Sequence, residues 1–560
     1  MKRLPRPYQY ALTLIVGVLF VTPAVGIGAS AVGLPLTVAL LGILAVVLGL
    51  YGIAAVLAED TRLALTVSIL VLAPVAANVP LGPRPVGVTI GPDLFLVDVP
   101  LVLLALISLS TWERRDFGAV HGLLVGYLIW SIALLALAPG PRPDVMGWYA
   151  VHVARYVAVF ALVSRAITAR WIRGRDALNI VVLTVLGHGA VASVQVFTGP
   201  IERLTVLGFN PRAVASLGPI PTGPYIGGFT GGAPFASVLL IGIPILIALL
   251  LSDRVPRVLA LAGVGWLSFL LQLTAWDAAR GALLVAFAAA FVGFGWWVTG
   301  VLRPRGERLR RWWRSRRVDA RAVLPAVAIA ALWQLSRFRA NPDHDPVFLN
   351  PELGQATLGA LTIPGFNTQN LSIRLYQYVG GTDVFLQYPL TGLGGANYTY
   401  IALAYADRAN MIHNFYIGVF AETGLVGGAL LFGALALVCV GLWVVADRKN
   451  DPVWLGVLVG LIGFFALQSL QSQYLRPITM SFVFSVLGVS YGEFLRIRST
   501  PDGTWHSVWD ESILQQAVVS SQLLRIAPVL TDRLEGILGL AWRESRVRTA
   551  TVAVARWLVN

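Results

Sequence analysis

Long apolar runs alternate with short polar segments along most of the chain. A bilayer core of ~30 Å requires about 20 apolar residues per helix, and by that criterion the pattern predicts about fourteen membrane spans. Their approximate limits are 9–29, 34–57, 61–80, 94–111, 119–138, 148–169, 176–197, 234–251, 256–275, 281–301, 322–338, 415–446, 452–473 and 476–495. The predicted class is an all-α polytopic membrane protein with 12–14 transmembrane helices.

Two segments between spans, 198–233 and 339–412, are longer than ordinary connections. The second lies between the eleventh and twelfth spans and is rich in Pro, Gly, Asn and aromatic residues, so we expect a folded cap of short helices. Residues 496–560 follow the last span with apolar positions at helical spacing. They predict a cytoplasmic amphipathic tail on the membrane surface or on a partner, and a plain surface-lying tail is the simpler alternative.

Composition supports the membrane class. The chain is 57% apolar and 12% charged, with a mean hydropathy of +0.74, whereas soluble proteins are about a quarter charged. A soluble enzyme and a disordered chain are therefore excluded. The single cysteine, Cys439, excludes an internal disulfide and a cysteine-based metal site.

The net charge of +14 comes from 42 basic and 28 acidic residues. On a soluble protein it would suggest nucleic acid, but in a membrane protein positive charge concentrates on the cytoplasmic side. We therefore place the Arg-rich segment 303–321 inside. Alternation then puts both termini inside, and the segments outside or within the membrane carry 11 basic and 11 acidic residues. This predicts a multi-pass plasma-membrane protein with no nucleic-acid partner.

A His-Asn pair at the end of the long outer segment is the sharpest chemical feature. His413 and Asn414 open an apolar run, followed by Gly424 and Gly427. Imidazole transfers protons near neutral pH, and a helix N-terminus suits a phosphate. The alternative is a histidine that merely caps the helix at the interface. The four-residue spacing of Gly424 and Gly428 also predicts close approach of a neighbouring helix.

Three short blocks together resemble the O-antigen ligase and polymerase superfamily, over roughly residues 230–440. The first is the His413-Asn414 motif with its glycines. The second, 389–398 (PLTGLGGANY), contains Gly392 and Gly394 and resembles the family's P-L-x-G-x-G-x-x-N-aromatic stretch, with Arg374 matching its upstream loop arginine. The third, 273–284 (LTAWDAARGALL), resembles an S-R-G helix start around Arg280, although Ala279 replaces the serine.

The resemblance implies a GT-C-like, metal-independent membrane glycosyltransferase without a cofactor. Such an enzyme passes a glycan from a polyprenyl-diphosphate carrier to a glycan, lipid or protein acceptor on the outer face. Arg280 and Arg374 would bind the diphosphate, since guanidinium groups bind phosphate oxygens bidentately. Asn414 would also bind substrate. His413 would act as the general base, with orientation of the acceptor or phosphate binding as alternatives.

The predicted organisation has four parts: N-terminal helices 1–230, a ligase-like core 231–446 that includes outer loop 339–412, two last spans in 447–495, and tail 496–560. Arg280 has the alternative of anchoring a helix, and Arg374 that of a salt bridge with Asp383.

Three acidic or basic features remain. Arg155, an intramembrane cation and so a functional candidate, either binds substrate or pairs with Asp98 or Asp277. Glu422 is expected to fix helix packing. The Asp343-His344-Asp345 sequence resembles a metal site but is expected to be solvated, and we predict no metal.

Two other classes compete with the transferase. A transporter for a small anion would use the same arginines, and a scaffold or receptor-like membrane protein would need none of this chemistry. The sequence does not separate a ligase from a polymerase, because both share the donor site.

Overall fold

The computed structural model describes residues 5–17, 60–75, 78–80, 91–108, 112, 117–198, 215–217, 220–222, 232–252, 256–274, 279, 281–288, 290, 368–400, 412–449, 451–469 and 475–498. The chain divides into two compact units, Met1–Arg496 and Ile497–Asn560. Of the second unit only residues 497 and 498 are described, so the predicted tail lies outside the described residues.

Helices make up most of the described chain. They are α1 (Arg6–Val16), α2 (Thr61–Leu72), α3 (Asp98–Ser108), α4 (Ala119–Leu137), α5 (Pro143–Thr168), α6 (Gly174–Thr198), α7 (Gly232–Leu251), α8 (Arg257–Leu273), α9 (Thr368–Gln387), α10 (Phe415–Lys449), α11 (Pro452–Gln468) and α12 (Pro477–Arg498). The short segment 281–288 is also helical.

Five of these helices are long and apolar enough to cross a membrane: Ala119–Leu137, Pro143–Thr168, Gly174–Val196, Phe415–Ala446 and Pro477–Arg498. Shorter apolar helices include Thr61–Leu72, Asp98–Ser108, Pro234–Leu250, Val258–Leu273 and Pro452–Gln468. The helices agree with a polytopic membrane protein. Predicted spans 34–57 and 322–338 lie outside the described residues, so the total of fourteen stays a prediction.

Two short antiparallel ribbons interrupt the helical pattern. The first pairs β1 (Asn78–Pro80) with β2 (Asp93–Phe95), and the second pairs β3 (Ala215–Leu217) with β4 (Ile220–Thr222). The predicted span 61–80 is therefore wrong in its second half. Its helix ends at Leu72, because Pro74 cannot donate the next hydrogen bond of the helix.

Glycines on α11 and α12 bring helix backbones together. A Cβ on Gly456 or Gly460 of α11 would lie 2.7–3.1 Å from backbone oxygens of α7. A Cβ on Gly488 or Gly492 of α12 would meet backbone oxygens of α5 at 2.6–2.8 Å. Each pair has the four-residue spacing that permits close helix packing.

Charged contacts gather at one end of the bundle. Glu493, which is 1% exposed, pairs with Lys449 and with Arg496, and Arg175 lies 3.4 Å from Asp451. These contacts join the ends of α6, α10, α11 and α12. The His413 region lies toward the opposite ends of α11 and α12.

Candidate functional site

The helix that follows His413 is broken at Gly424. Gly424 has φ 66° and ψ −169°, inside α10. The Phe415 and Phe432 ring centroids lie 5.4 Å apart, whereas a continuous helix would separate these residues by about 25 Å. The first half, 415–423, therefore folds back against the second half, 425–449. The prediction of one continuous span over 415–446 is wrong, and His413 lies level with Phe432 rather than at the bend.

The loop 389–398 supplies partners for the helix ends exposed by this break. The backbone hydrogen bonds run from Leu393 N–H to the Ala421 carbonyl (2.9 Å), from Gly394 N–H to the Glu422 carbonyl (2.9 Å) and from Leu425 N–H to the Pro389 carbonyl (2.7 Å). Trp130 Nε1 donates to the Thr423 carbonyl at 2.8 Å. Polar backbone groups inside a membrane protein need such internal partners, so this loop makes the break possible.

The glycines of both sequence blocks meet at this junction. Gly392 and Gly394 have φ values of 62° and 90°, a region that glycine adopts without steric penalty. A Cβ on Gly392 would lie 2.6 Å from the Ala421 carbonyl oxygen, and one on Gly424 would lie 2.1 Å from the Leu390 carbonyl oxygen. The two blocks are therefore halves of one interlocked structure.

The neighbours at Gly424 and Gly428 are the loop 389–398 and the folded-back first half of α10, rather than a separate helix. Gly424 faces the Leu390 backbone, and a Cβ on Gly428 would meet the Phe420 ring of the same helix at 2.2 Å. The fold-back brings Phe420 there. A Cβ on Gly427 would lie 2.3 Å from Thr423 Oγ1, so this glycine makes room within the bend.

Glu422 connects the break to the same loop. Its side chain is buried, and Oε2 accepts a hydrogen bond from Ala396 N–H at 2.9 Å. Ala396 has φ 62°, a conformation costly for alanine, which the hydrogen bond helps to hold. Burial, together with the Glu422 charge, raises the pKa of Tyr398 to about 12. These contacts fit the packing role expected for Glu422.

Helix α9 runs parallel to the first half of α10. Gln377 contacts His413, and the Phe385 and Phe420 rings lie 5.5 Å apart. A Cβ on Gly381 would lie 2.8 Å from the Ile417 side chain. These three contacts follow each other in the same order and at similar spacing along α9 and the first half of α10, so α9 sets the position of His413.

Gln377 fixes the state of the His413 ring. Its Oε1 accepts from His413 N–H at 3.1 Å and lies 2.7 Å from His413 Nδ1. The side-chain carbonyl oxygen of Gln377 can only accept hydrogen bonds, so Nδ1 carries the proton and donates it. The basic lone pair of the neutral imidazole is then on Nε2. Gln377 itself is 7% exposed, which restricts its own movement.

Asn414 holds the backbone beside the histidine. Its Oδ1 accepts from Ile417 N–H at 3.0 Å, as a helix N-cap does. Its Nδ2 donates to the Ser469 carbonyl at the end of α11, at 3.1 Å. Both ends of the amide thus make structural hydrogen bonds, and the substrate contact of Asn414 stays a prediction.

Arg155 makes the contacts of a structural ion pair. Its guanidinium binds Asp98 through Nε at 2.5 Å and Nη2 at 2.9 Å. It also contacts the Asp93 carbonyl, the His152 ring and the face of Phe95. The geometry is that of the Asp98 alternative, and substrate binding by Arg155 stays a prediction.

The two remaining predicted cations are only partly described. Arg280 and its neighbour Asp277 lie outside the described residues, as does the Asp343–Asp345 segment. Arg374 lies in α9, one turn before Gln377, but its side chain lies outside the described residues. The described residues contain no cluster of three or more His, Cys, Asp or Glu suited to a metal ion.

Residues 269–432 match the family model described as O-antigen ligase. This segment is similar to the O-antigen ligase family. The match includes Gln377, His413, the loop 389–398 and the break at Gly424, and it ends before α11. The predicted resemblance is therefore confirmed, and with the apolar helices it supports a membrane protein of polysaccharide biosynthesis. No curated protein sequence matches the chain.

Proposed function

We propose that this protein transfers a glycan from a polyprenyl-diphosphate carrier to an acceptor hydroxyl on the extracytoplasmic face of the plasma membrane. The observation that carries the proposal is the Gln377–His413 contact of 2.7 Å. It holds the proton on Nδ1 and leaves Nε2 as the basic nitrogen. A general base needs one unprotonated ring nitrogen, and a second group that fixes the tautomer and orients the ring is typical of catalytic histidines.

In the proposed reaction, His413 Nε2 removes the proton of the acceptor hydroxyl as its oxygen attacks the anomeric carbon. A new glycosidic bond forms there. The bond between the anomeric carbon and the diphosphate oxygen breaks, and its electron pair leaves with the lipid diphosphate. General-base assistance of this kind contributes about 10²–10⁴-fold to rate.

The leaving diphosphate gains negative charge, and cations stabilise it. We assign this role to Arg280 and Arg374. Support for Arg374 comes from its place in α9, one turn from Gln377. The helix that orients the base thus also carries one of the proposed cations. Arg280 directly precedes the helical segment 281–288, within the ligase domain.

Two substitutions of Gln377, one that removes the amide and one that replaces it with a carboxylate, should change the kinetics in different ways. Gln377→Ala should lower kcat about tenfold or more with little change in donor KM, because the ring loses its fixed orientation. Gln377→Glu should raise the histidine pKa, since a carboxylate stabilises imidazolium, and should move the acidic limb of the pH–rate profile to higher pH.

The assay uses purified full-length protein, a polyprenyl-diphosphate glycan and candidate acceptors, with the product identified by mass spectrometry. Gln387→Ala, an exposed position at the end of the same helix, is the matched control. Unchanged kcat and pH profile in both Gln377 variants would remove the proposed orientation of the base.

A further inference from the structure

At the start of α12 lie two polar side chains that the proposed reaction does not use, each with a buried atom that has no hydrogen-bond partner among the described residues. Arg476 directly precedes this helix, and its Nε is buried without a hydrogen-bond partner among the described residues. Thr479 lies in the first turn of α12. Its side chain is fully buried, and its Oγ1 also has no partner within the described part of the chain.

A guanidinium nitrogen that is buried without a hydrogen-bond partner is energetically costly. No ion pair joins Arg476 to another described residue. Among the described residues, no carboxylate therefore offsets its desolvation. An anion that bound there would offset this cost.

The backbone at this position also favours an anion. Helix α12 has 22 residues, and its N-terminus follows Arg476 with Pro477 in the first position. The first amide groups of a helix have no intrahelical partner and present a partial positive charge. A hydroxyl, a guanidinium and a helix N-terminus together form a set of donors typical of phosphate sites.

The helix that follows Arg476 and the helix that follows His413 line one pocket. Met480, one turn further along α12, lines a pocket together with Phe415, two residues after His413. At the other end of the α11–α12 connection, the Ser469 carbonyl accepts hydrogen bonds from Asn414 and from Tyr378. The end of α11 therefore contacts Asn414, next to His413, and the first part of α12 shares a pocket with Phe415.

We propose that Arg476, with Thr479 and the first turn of α12, binds the diphosphate of the lipid carrier. The inference rests on the proposed function, which it extends beyond the ligase domain to the last helix of the first unit. Arg476 donates to phosphate oxygens and stabilises the charge of the leaving diphosphate. Thr479 supplies a second, neutral donor at the same group.

The test compares Arg476→Gln, Arg476→Lys and Thr479→Val in full-length protein in nanodiscs. Arg476→Gln should raise the donor KM about tenfold or more and leave the acceptor KM unchanged, because a charge-assisted hydrogen bond is lost. Arg476→Lys should recover part of the loss, and Thr479→Val should show a smaller loss. The exposed Arg142→Gln, which removes a cation paired with Asp144, is the matched control.

Direct binding separates this inference from the proposed function. The probes are a polyprenyl diphosphate without glycan and inorganic pyrophosphate. Weaker binding of the lipid probe to Arg476→Gln than to the wild type supports the site, whether or not the wild type shows transfer. Absence of transfer by the wild type would contradict the proposed function alone. Unchanged donor KM and unchanged lipid binding in folded Arg476→Gln and Thr479→Val overturn the inference. Pyrophosphate binding as tight as that of the lipid probe would overturn the lipid assignment in favour of a free anion.

Discussion

Gly424→Ala should disrupt the junction that holds the site together. The native residue has φ 66°, and a Cβ would lie 2.1 Å from the Leu390 carbonyl oxygen. This is a contact with backbone, so no side-chain rotation can relieve it. The loop 389–398 must move away, or the bend must change.

The expected loss of stability follows from these contacts. A left-handed conformation costs alanine about 1–2 kcal/mol. Displacing the loop also breaks the three backbone hydrogen bonds that join it to Ala421, Glu422 and Leu425, each of which contributes about 1 kcal/mol. Together these give about 4–5 kcal/mol, a large part of the stability of a typical protein. We expect a strongly lowered unfolding temperature and loss of glycan transfer.

The single cysteine makes the measurement direct. Cys439 lies in the second half of α10, and its reaction with a thiol-specific fluorescent dye on heating reports opening of that helix in detergent-solubilised protein. Gly147→Ala is the matched control, since a Cβ there meets nothing within 4 Å. Equal midpoints for the two variants, with transfer retained by Gly424→Ala, would refute the role given to the junction.

Three further predictions concern charges. Asp98→Asn leaves Arg155 without its carboxylate, so the midpoint of Cys439 labelling should fall by the equivalent of about 3–5 kcal/mol. Transfer per folded molecule should be preserved, and an unchanged midpoint would contradict the structural role of this pair. Arg280→Lys should reduce transfer, because lysine lacks the planar fork, and wild-type turnover would show an anchoring residue instead. Transfer should persist in a chelator, whereas strict dependence on Mg²⁺ or Mn²⁺ would contradict a metal-independent reaction.

Helix positions could be predicted from the sequence with fair accuracy. The predicted spans 119–138, 176–197 and 234–251 lie within about two residues of α4, α6 and α7, because continuous apolar runs of this length form helices in a membrane. Span 148–169 missed the first turn of α5, which begins at Pro143. That turn includes Asp144, and a span predicted from apolar residues alone does not extend over a charged residue at the start of a helix.

The fold-back at Gly424 could not be predicted in the same way. An apolar run that contains a glycine is compatible with one continuous helix, and the hydrogen bonds that stabilise the break come from loop 389–398, about 30 residues earlier. The same reason applies to Gln377. A neutral amide in a polar segment carries no signal by itself, and only the parallel packing of α9 on α10 brings it to His413.

The assignment of Arg155 illustrates a related limit. An intramembrane arginine is a functional candidate from sequence alone, and its partner lies 57 residues away at Asp98. Arg476 presents the opposite case. It lies outside the ligase-like blocks and close to the predicted end of a span. Only the structure, in which its Nε is buried without a partner among the described residues and Thr479 lies three residues later, indicates a role.

The most direct test of the central claim is transfer by purified wild type and His413→Ala, measured as glycosylated product by mass spectrometry after incubation with a polyprenyl-diphosphate glycan and acceptor. Cys439 labelling on heating verifies that both proteins are folded. Wild type should form product, and His413→Ala should form it at least a hundredfold more slowly, at a similar labelling midpoint. Transfer at the wild-type rate by folded His413→Ala would contradict the claim that this histidine is the general base.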